Sequence, residues 1–168
     1  MATQEPGVGW IDLEALFRAH ATPLLRLAVV LTGDRSVAEE LVQDAFVRLH
    51  RSGSKPAAGT ELAYLRRTVI NLAHGHHRHL RVVRRRTLEP PGDEEAAETG
   101  ALRRAGHHEV LESVRALPSR QRACVALRYY SDLPDAEIAA TLGISVGAVK
   151  THLHRARAAL AERLEGLR

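Results

Sequence analysis

The sequence predicts an all-α protein made of two small helical domains joined by a flexible linker. Apolar residues recur at intervals of three and four along almost the whole chain, which is the helical period. Six aromatic residues in 168 leave leucine, valine and alanine to fill the cores, and these residues suit helices. An acidic segment with two prolines interrupts the pattern. We therefore expect a disordered N-terminus over 1–10, a domain over 11–86, a flexible acidic linker over 87–104 and a second domain over 105–168.

Three helices are expected in the first domain. The first carries apolar residues on both sides of a kink at Pro23, and it stops at the Thr-Gly-Asp sequence of 32–34. The second covers 37–51 and has one apolar side. Glycine, serine and proline mark a loop over 51–60, and the third helix then runs from 61 to 86.

The third helix is predicted to have one apolar and one basic side. An advance of about 100° per residue places six apolar side chains together, namely Leu62, Leu65, Val69, Leu72, Leu80 and Val83. The opposite side collects polar and basic residues, with Ile70 as an apolar exception: Arg66, Arg67, Asn71, His74, His77, Arg78, Arg81, Arg84 and Arg85. No acid occurs from 62 to 88, so this side should attract a nucleic-acid backbone.

The histidines of the segment AHGHHRHL (73–80) raise the alternative of a metal site. His74 and His77 are three residues apart and could share an ion, but no Asp, Glu or Cys stands near them. The surrounding arginine charges would oppose a divalent cation. We expect no metal and no other cofactor, and without a nucleophile and base in register we expect no enzymatic activity. The single cysteine, Cys124, excludes an internal disulfide.

Composition favours a polyanionic partner in the cytoplasm. Lys55 and Lys150 are the only lysines among 24 basic residues, and arginine matches phosphate in a fork geometry. The first ten residues lack the features of a signal peptide. The longest uninterrupted apolar run, Leu27–Leu31, is far shorter than the roughly 20 residues that span a bilayer, so we expect no membrane insertion.

The C-terminal segment from Pro134 predicts a helix-turn-helix. Ala139 is small enough for the point where two helices cross, Gly143 suits the turn, and Val149 can lock the second helix. Ser145 suits its N-cap. No acid occurs from 145 to 157, and the second helix could enter a major groove with Lys150, Thr151, His152, His154, Arg155 and Arg157. The plain alternative is a helical hairpin with a solvated basic side.

Three segments, from the two predicted domains, resemble a known family. EIAATLGISVGAVKTHLHRARAAL resembles the promoter-binding C-terminal domain of bacterial RNA polymerase sigma factors. LTGDRSVAEELVQDAFVRLHR and AYLRRTVINLAHGHHR resemble the polymerase-binding and −10-reading helices of the sigma-2 domain. Their order, with only a short linker between them, is typical of the extracytoplasmic function (ECF) group of the sigma-70 family, and the likeness covers about 11–165. It implies a factor that binds core RNA polymerase, recognises −35 and −10 promoter elements and directs transcription initiation.

The resemblance implies roles for individual residues. On the second helix Gln43 and Asp44 match positions that face the β′ clamp helices of the polymerase, with Glu40 and Arg48 nearby; the alternative is that they only face water. Asn71 matches an asparagine near a flipped −10 base, which the loop 51–60 would capture. We assign five further residues of the same helix to the −10 element together with Asn71: Arg66, Arg67, His74, Arg78 and Arg81. To the −35 element we assign Lys150, Thr151, His154, Arg155 and Arg157. The polymerase β subunit and an anti-sigma factor are further partners that the family implies.

Several residues depart from the family pattern. Tyr64 stands where many relatives have tryptophan, Ala148 replaces a usual threonine, and His152 replaces a frequent arginine. A regulator with a LuxR-type helix-turn-helix, which does not replace sigma, is the alternative function. Such regulators usually carry a receiver domain of alternating strands and helices, whereas 11–86 has the pattern of helices alone.

Overall fold

The computed structural model describes residues 12–52, 56–86 and 101–165, with the side chains of 81, 83–86 and 101–107 left aside. This part of the chain contains helices and no strand, which confirms the expected all-α class. The helices are α1 Leu13–Thr32, α2 Arg35–Arg51, α3 Glu61–Arg86, α4 Ala101–Arg115, α5 Ser119–Tyr129, α6 Asp135–Leu142 and α7 Val146–Glu165. The N-terminal segment 1–10 and most of the predicted linker fall outside the described residues. Helix α4 begins at Ala101, inside the segment 87–104 that the sequence assigns to the linker.

A tight corner joins α1 to α2, as the Thr-Gly-Asp sequence predicts. Gly33 has the left-handed φ of 85°, and its N–H donates to the Val29 carbonyl at 2.8 Å. The Asp34 side chain then accepts from the Val37 N–H at 3.1 Å and caps α2. These contacts satisfy backbone groups that a helix end leaves without partners. Pro23 lies inside α1 and does not end it.

Helix α1 has the length and apolar content of a membrane-spanning segment. It has 20 residues and a mean hydropathy of 1.2 over its most apolar stretch, whereas the sequence predicts no such segment because charged residues interrupt its apolar runs. In the structure Leu24, Leu27 and Ala28 are at most 1% exposed and lie in the protein core. Of this apolar stretch, 28% is buried inside the protein.

The first three helices enclose an apolar core. The buried side chains of this core are 0 to 5% exposed, and α3 contributes Leu65 and Val69 to them. The remaining members of this cluster come from α1 and α2, namely Leu24, Ala28, Ala38, Val42, Ala45, Phe46 and Leu49. The rings of Phe17 and Phe46 pack edge to face, with their centroids 5.0 Å apart. Aliphatic side chains thus fill this core, as the scarcity of aromatic residues predicts.

A second apolar cluster fills the centre of α4–α7 and continues into the first three helices. Leu127, Ile138 and Val149 are completely buried within it. From the N-terminal half the same cluster includes Leu27, Val30, Leu31, Leu41, Ile70 and Ala73. The two halves therefore pack against each other, an arrangement that the sequence does not predict.

The predicted division of α3 into two sides needs three corrections. Ile70 is 6% exposed and belongs to the core, because the C-terminal half covers it. His77, expected on the basic side, is half-buried at the same contact. Leu80, expected in the core, is 36% exposed. Helix α3 thus has two apolar stripes. One packs against α1 and α2, and the other packs against the C-terminal half of the chain.

Replacement of Gly33 by alanine should destabilise the contact between α1 and α4. The left-handed φ costs a non-glycine residue about 1–2 kcal/mol. A Cβ at this position would also lie 2.8 Å from Nε of Arg115, so the arginine would have to move. We expect Gly33→Ala to lower the free energy of unfolding by more than 1 kcal/mol in urea titrations.

Gly59 offers the matched control for this substitution. It has the same φ of 85°, but a Cβ there would meet nothing within 4 Å. Gly59→Ala should therefore show the conformational cost alone. In an Arg115→Ala background, the Gly33→Ala cost should fall to that of Gly59→Ala. Equal losses for the two glycine variants in the native background would contradict the packing of Arg115 on Gly33.

Candidate nucleic-acid interface

Helices α6 and α7 form the predicted helix-turn-helix. Gly143 ends α6 with a left-handed φ of 64°, and its N–H donates to the carbonyl of Ala139. The Ser145 hydroxyl accepts from the Ala148 N–H at 3.1 Å, so serine caps α7 as expected. Val149 is fully buried where α7 meets α6. The small residue, the turn glycine and the branched apolar residue therefore hold the positions that the motif requires.

The candidate residues of α7 lie together on its outer side. Val149, Leu153 and Ala156 fix the inner side of the helix in the core. The outer side consists of exposed residues, which we call the recognition face: Lys150, Thr151, His154, Arg155 and Arg157. The described part of α7 has no acid before Glu162. The structure thus offers a positive helix face of the kind that a major groove accepts.

Two polar residues of α7 have surroundings that the sequence does not predict. Nε of Arg157 donates to the Tyr129 hydroxyl at 3.2 Å, so a contact with α5 orients this side chain. Nδ1 of His152 is buried and has no hydrogen-bond partner within the described residues. His152 therefore points partly inward, whereas His154 and Arg155 face outward.

The structure places most candidate residues of α3 along an accessible side. Arg67, Asn71, His74 and Arg78 are exposed, and Arg66 is half-buried. We call these five residues the basic face of α3; Arg81, which the sequence assigns to the same face, has its side chain outside the described set. Leu65 and Val69 anchor the helix from the opposite side. The described part of α3 beyond Glu61 has no acid, so this face remains positive along its length.

Packing between the two halves affects the charge of the basic face. Burial lowers the pKa of the Arg66 guanidinium, and the carboxylate of Glu137 on α6 acts in the opposite direction. Burial also lowers the pKa of His74, and Arg120 and other nearby arginines lower it further. The lowered pKa favours the neutral form of His74, so arginines supply most of the positive charge of this face.

A cleft lies between the start of α3 and α6. It measures about 320 Å³ and contains residues from the loop before α3 that the sequence does not single out. Its walls are Pro56, Thr60, Ala63, Tyr64, Arg66, Arg67, Glu137, Ala140 and Thr141. Residues 53–55 of the loop lie outside the described part. The end of the loop and the basic face of α3 therefore border one cleft.

The candidate residues of α2 also share one exposed side. Glu40, Gln43, Asp44 and Arg48, which we call the α2 stripe, all face solvent, while the buried residues of α2 lie on the opposite side. The sequence analysis missed Val47, which is 44% exposed within this stripe. Its signal was an apolar residue on the polar side, three or four positions from Asp44 and Gln43. An exposed apolar residue among polar ones is a common feature of a protein-binding surface.

The described residues were searched for side chains that together could hold a metal ion. No group of three or more His, Cys, Asp and Glu side chains there is arranged to hold a metal ion. Burial raises the pKa of Cys124 to about 11, so this thiol stays protonated and unreactive at neutral pH.

Family comparisons match both halves of the chain separately. A model described as Sigma-70 region 2 matches residues 16–85, which include the α2 stripe and the whole basic face of α3. A model described as Sigma-70, region 4 matches residues 107–160, which include the recognition face.

Curated relatives match nearly the whole chain. The ECF RNA polymerase sigma factor SigE of Mycolicibacterium smegmatis is 33% identical to this chain over 156 residues. The match covers 90% of this chain and 61% of the length of SigE. The RNA polymerase sigma-E factor of Streptomyces avermitilis is 32% identical over 156 residues, covering 92% of this chain and 86% of its own length.

Solved structures share the fold of both halves. The sigma factor RpoE, solved in complex with the anti-sigma factor NepR from Bartonella quintana, superposes with a TM-score of 0.76 at 21% identity, over 92% of this chain and 97% of its own. CnrH, solved with the cytosolic domain of CnrY, gives a TM-score of 0.65 at 23% identity, over 92% and 88% of the two chains.

Proposed function

The chain belongs to the ECF sigma factors of the sigma-70 family, and we propose that it binds core RNA polymerase in the cytoplasm and directs transcription from promoters that carry −35 and −10 elements. The observation that carries this proposal is the presence of three exposed surfaces on one chain. They are the α2 stripe, the basic face of α3 and the recognition face of α7. In this proposal the polymerase supplies all catalysis, and the chain supplies binding and positioning.

The α2 stripe is the surface that we assign to the polymerase. Its exposed polar residues surround Val47, and a shallow cleft beside it is lined by Asp44, Val47, Arg48, Arg51, Ser52 and Tyr64. Exposed charges give specificity to a contact whose apolar centre supplies much of the affinity. We propose that the β′ clamp helices bind here, with the β subunit as a second contact of the factor.

The basic face of α3 is the surface that we assign to the −10 element. Arg66 and Arg67 line the cleft, and the exposed Asn71, His74 and Arg78 extend the face along the helix. We assign Arg81, farther along α3, to the same element. Arginines bind the backbone through charge, and Asn71 can exchange donor and acceptor bonds with a base edge. The cleft beside Tyr64 is the space that we propose for a base taken out of the stack.

The recognition face of α7 is the surface that we assign to the −35 element. Lys150, Thr151, His154, Arg155 and Arg157 follow one another along one side of a helix that the core holds firmly. Such a helix lies in a major groove and distinguishes bases by hydrogen bonds to their edges. The bond from Arg157 to Tyr129 favours a supporting phosphate contact for Arg157 and leaves Arg155 as the better candidate for base reading.

Arg155→Ala should weaken recognition of the −35 element by about 1–3 kcal/mol. The matched control is Arg163→Ala, which removes the same charge from an exposed position farther along α7. Fluorescence anisotropy with the selected promoter and with a copy whose −35 element is scrambled would measure both variants. Equal losses on the two duplexes would show that Arg155 contacts only phosphate.

We also propose an anti-sigma factor as a partner. RpoE and CnrH were each solved in complex with a second protein, the anti-sigma factor NepR in one case and the cytosolic domain of CnrY in the other. Their folds match this chain over both halves. A protein that binds between or across the two halves would control access to the α2 stripe and to the basic face of α3.

Selection of genomic DNA by the reconstituted holoenzyme tests the function. Fragments retained by core polymerase and this chain should share two short elements at a fixed spacing. A LuxR-type regulator would instead select a single, usually symmetric site without the polymerase, since dimers match palindromes. Enrichment of such a site by the chain alone, with no enrichment by the holoenzyme, would overturn the proposal.

A further inference from the structure

Helix α7 contains a glycine in its first turn that its backbone conformation does not require. Gly147 follows Val146, the first residue of the helix, and it is exposed to solvent. Its φ is negative, as in an ordinary helical residue, whereas Gly143 in the preceding turn has the left-handed φ of 64°. Any L-residue could therefore adopt the conformation of Gly147 without strain.

The space beside Gly147 is also free. Among the described residues, a Cβ at this position would meet only the hydroxyl oxygen of Ser145, at the ordinary contact distance of 3.9 Å. By contrast, a Cβ at Gly33 would collide with the side chain of Arg115. Glycine is a poorer helix former than alanine, because it loses more conformational freedom when the helix forms. Packing within the described part of the chain thus gives no reason for a glycine at this position.

Other residues fix the first turn of α7, so this turn does not depend on the freedom of glycine. The Ser145 hydroxyl accepts from the Ala148 N–H at 3.1 Å, and the Ser145 carbonyl accepts from the Val149 N–H at 3.1 Å. The side chain of Val149 is completely buried. The backbone of the turn is therefore held in place relative to the core, and Gly147 leaves a fixed gap on the surface.

The gap lies in the middle of the recognition face, at its N-terminal end. Residues four and seven positions apart share one side of a helix, which places Gly147 in line with Thr151 and His154. Lys150 and Arg155 lie on either side of this line. The buried residues of α7 are on the opposite side. The chain thus lacks a side chain at the end of the recognition face that would enter a groove first.

An α-helix with its side chains nearly fills a major groove. The groove of B-DNA is about 12 Å wide, and a helix with side chains measures about 10–12 Å across. In helix-turn-helix proteins, the N-terminal residues of the recognition helix contact the base edges. A side chain at this end would hold the helix away from the bases, whereas a glycine lets the backbone approach a ligand closely.

Thr151 is the residue of the recognition face that depends most on such an approach. It is short, exposed and one turn from Gly147. Its hydroxyl donates to the Gly147 carbonyl at 3.0 Å, which keeps the side chain close to the helix backbone. The hydroxyl oxygen can still accept from a base amine, provided that the backbone lies near the base edges. Longer side chains such as Lys150 and Arg155 can reach the bases from farther away.

We propose that Gly147 is a positioning residue for recognition of the −35 element, because the gap that it leaves lets the first turn of α7 enter the major groove far enough for Thr151 to contact a base. This inference rests on the proposed function, since it concerns the same element. Phosphate contacts by arginines do not need this depth. Binding to unrelated sequence should therefore not depend on Gly147.

Gly147→Ala should separate DNA recognition from stability. Affinity for a duplex with the −35 element of a promoter from the holoenzyme selection should fall by about tenfold, as expected for the loss of one base contact. Affinity for a duplex with a scrambled element should change by less than about twofold at the same salt concentration. The midpoint of urea unfolding should rise, because alanine favours the helix. Fluorescence anisotropy and circular dichroism measure these quantities.

Gly75→Ala is the matched control for this substitution. Gly75 lies within α3, is exposed and has a negative φ, and a Cβ there would meet nothing within 4 Å among the described residues. Gly75→Ala should raise the urea midpoint and leave the affinity for both duplexes unchanged. Equal losses of −35 affinity in the two glycine variants would overturn the inference, since Gly75 is not part of the recognition face.

A double-mutant cycle with Thr151→Ala tests the reason for the loss. If Gly147 acts by bringing Thr151 to a base, the contact is already absent in the Thr151→Ala background. Gly147→Ala should then cost less than about twofold in −35 affinity, which is strong coupling between the two positions. Additive losses in the double variant would overturn the link between Gly147 and Thr151.

The remaining outcomes distinguish this inference from the proposed function. A native chain that binds the −35 and scrambled duplexes equally would overturn the proposed function and the role of Gly147 with it. A native chain that prefers the −35 duplex, with full −35 affinity retained in Gly147→Ala, would reject the role of Gly147 alone. A lower urea midpoint in Gly147→Ala would show that the glycine serves the fold, and this result would also overturn the inference.

Discussion

Asp44→Lys should lower the affinity of the chain for core RNA polymerase by about 2–5 kcal/mol, which is roughly 30-fold or more. Asp44 lies at the centre of the α2 stripe, next to the exposed Val47 and opposite the buried side of the helix. A lysine there leaves the opposing groups of the polymerase unpaired and adds a like-charge contact. Competition for core enzyme against a labelled reference sigma factor would measure the change.

Glu39→Lys is the matched control for this charge reversal. Glu39 is exposed on the same helix but lies off the stripe, where it pairs with Arg35 at 2.9 Å. Loss of an exposed pair of this kind costs at most about 1 kcal/mol of stability. Because Glu39 lies off the stripe, core affinity should change little. Binding of both variants to −35 duplex should equal that of the native chain. Unchanged core affinity in Asp44→Lys would show that α2 is not the polymerase contact.

Leu127→Ala should lower the free energy of unfolding by about 2–5 kcal/mol, the usual cost of a cavity in a closely packed core. Leu127 is completely buried on α5, in the cluster that joins α5 to α6 and α7. Loss of its side chain would loosen the support of the recognition face. Urea unfolding followed by circular dichroism gives the change, with the slope of the transition expected to stay constant.

Leu80→Ala is the control for the leucine substitution. Leu80 is 36% exposed near the described end of α3, so its truncation leaves no enclosed cavity. Its cost should stay below about 1 kcal/mol, as for most surface positions. A larger loss for Leu80→Ala than for Leu127→Ala would contradict the burial that the structure assigns to the two residues.

Local sequence signals predict the helices and the DNA-facing motif well. Gly143 and Ser145 act within a few residues of their own positions, through a left-handed turn and a side-chain cap, so a short segment contains all the information. The same holds for the corner at Gly33 and Asp34. Family resemblance adds the order of the parts, and the comparisons confirm it.

The contact between the halves is what the sequence pattern does not show. A helical projection assigns one apolar side to α3, but Ile70 and His77 face a second partner that is far away in the chain. Ile70 looks like an apolar intruder on a basic side until α5 and α6 cover it. His77 looks like a member of the basic face, because no local signal reveals that the carbonyl of Leu31 lies beside its ring. Long-range packing decides both positions.

Run-off transcription with purified core RNA polymerase, this chain and a promoter from the holoenzyme selection tests the central claim most directly. We predict a transcript of defined length that requires both the chain and the two elements, and that Asp44→Lys greatly reduces. No transcript from any selected fragment, together with no binding of the chain to core enzyme, would contradict the account.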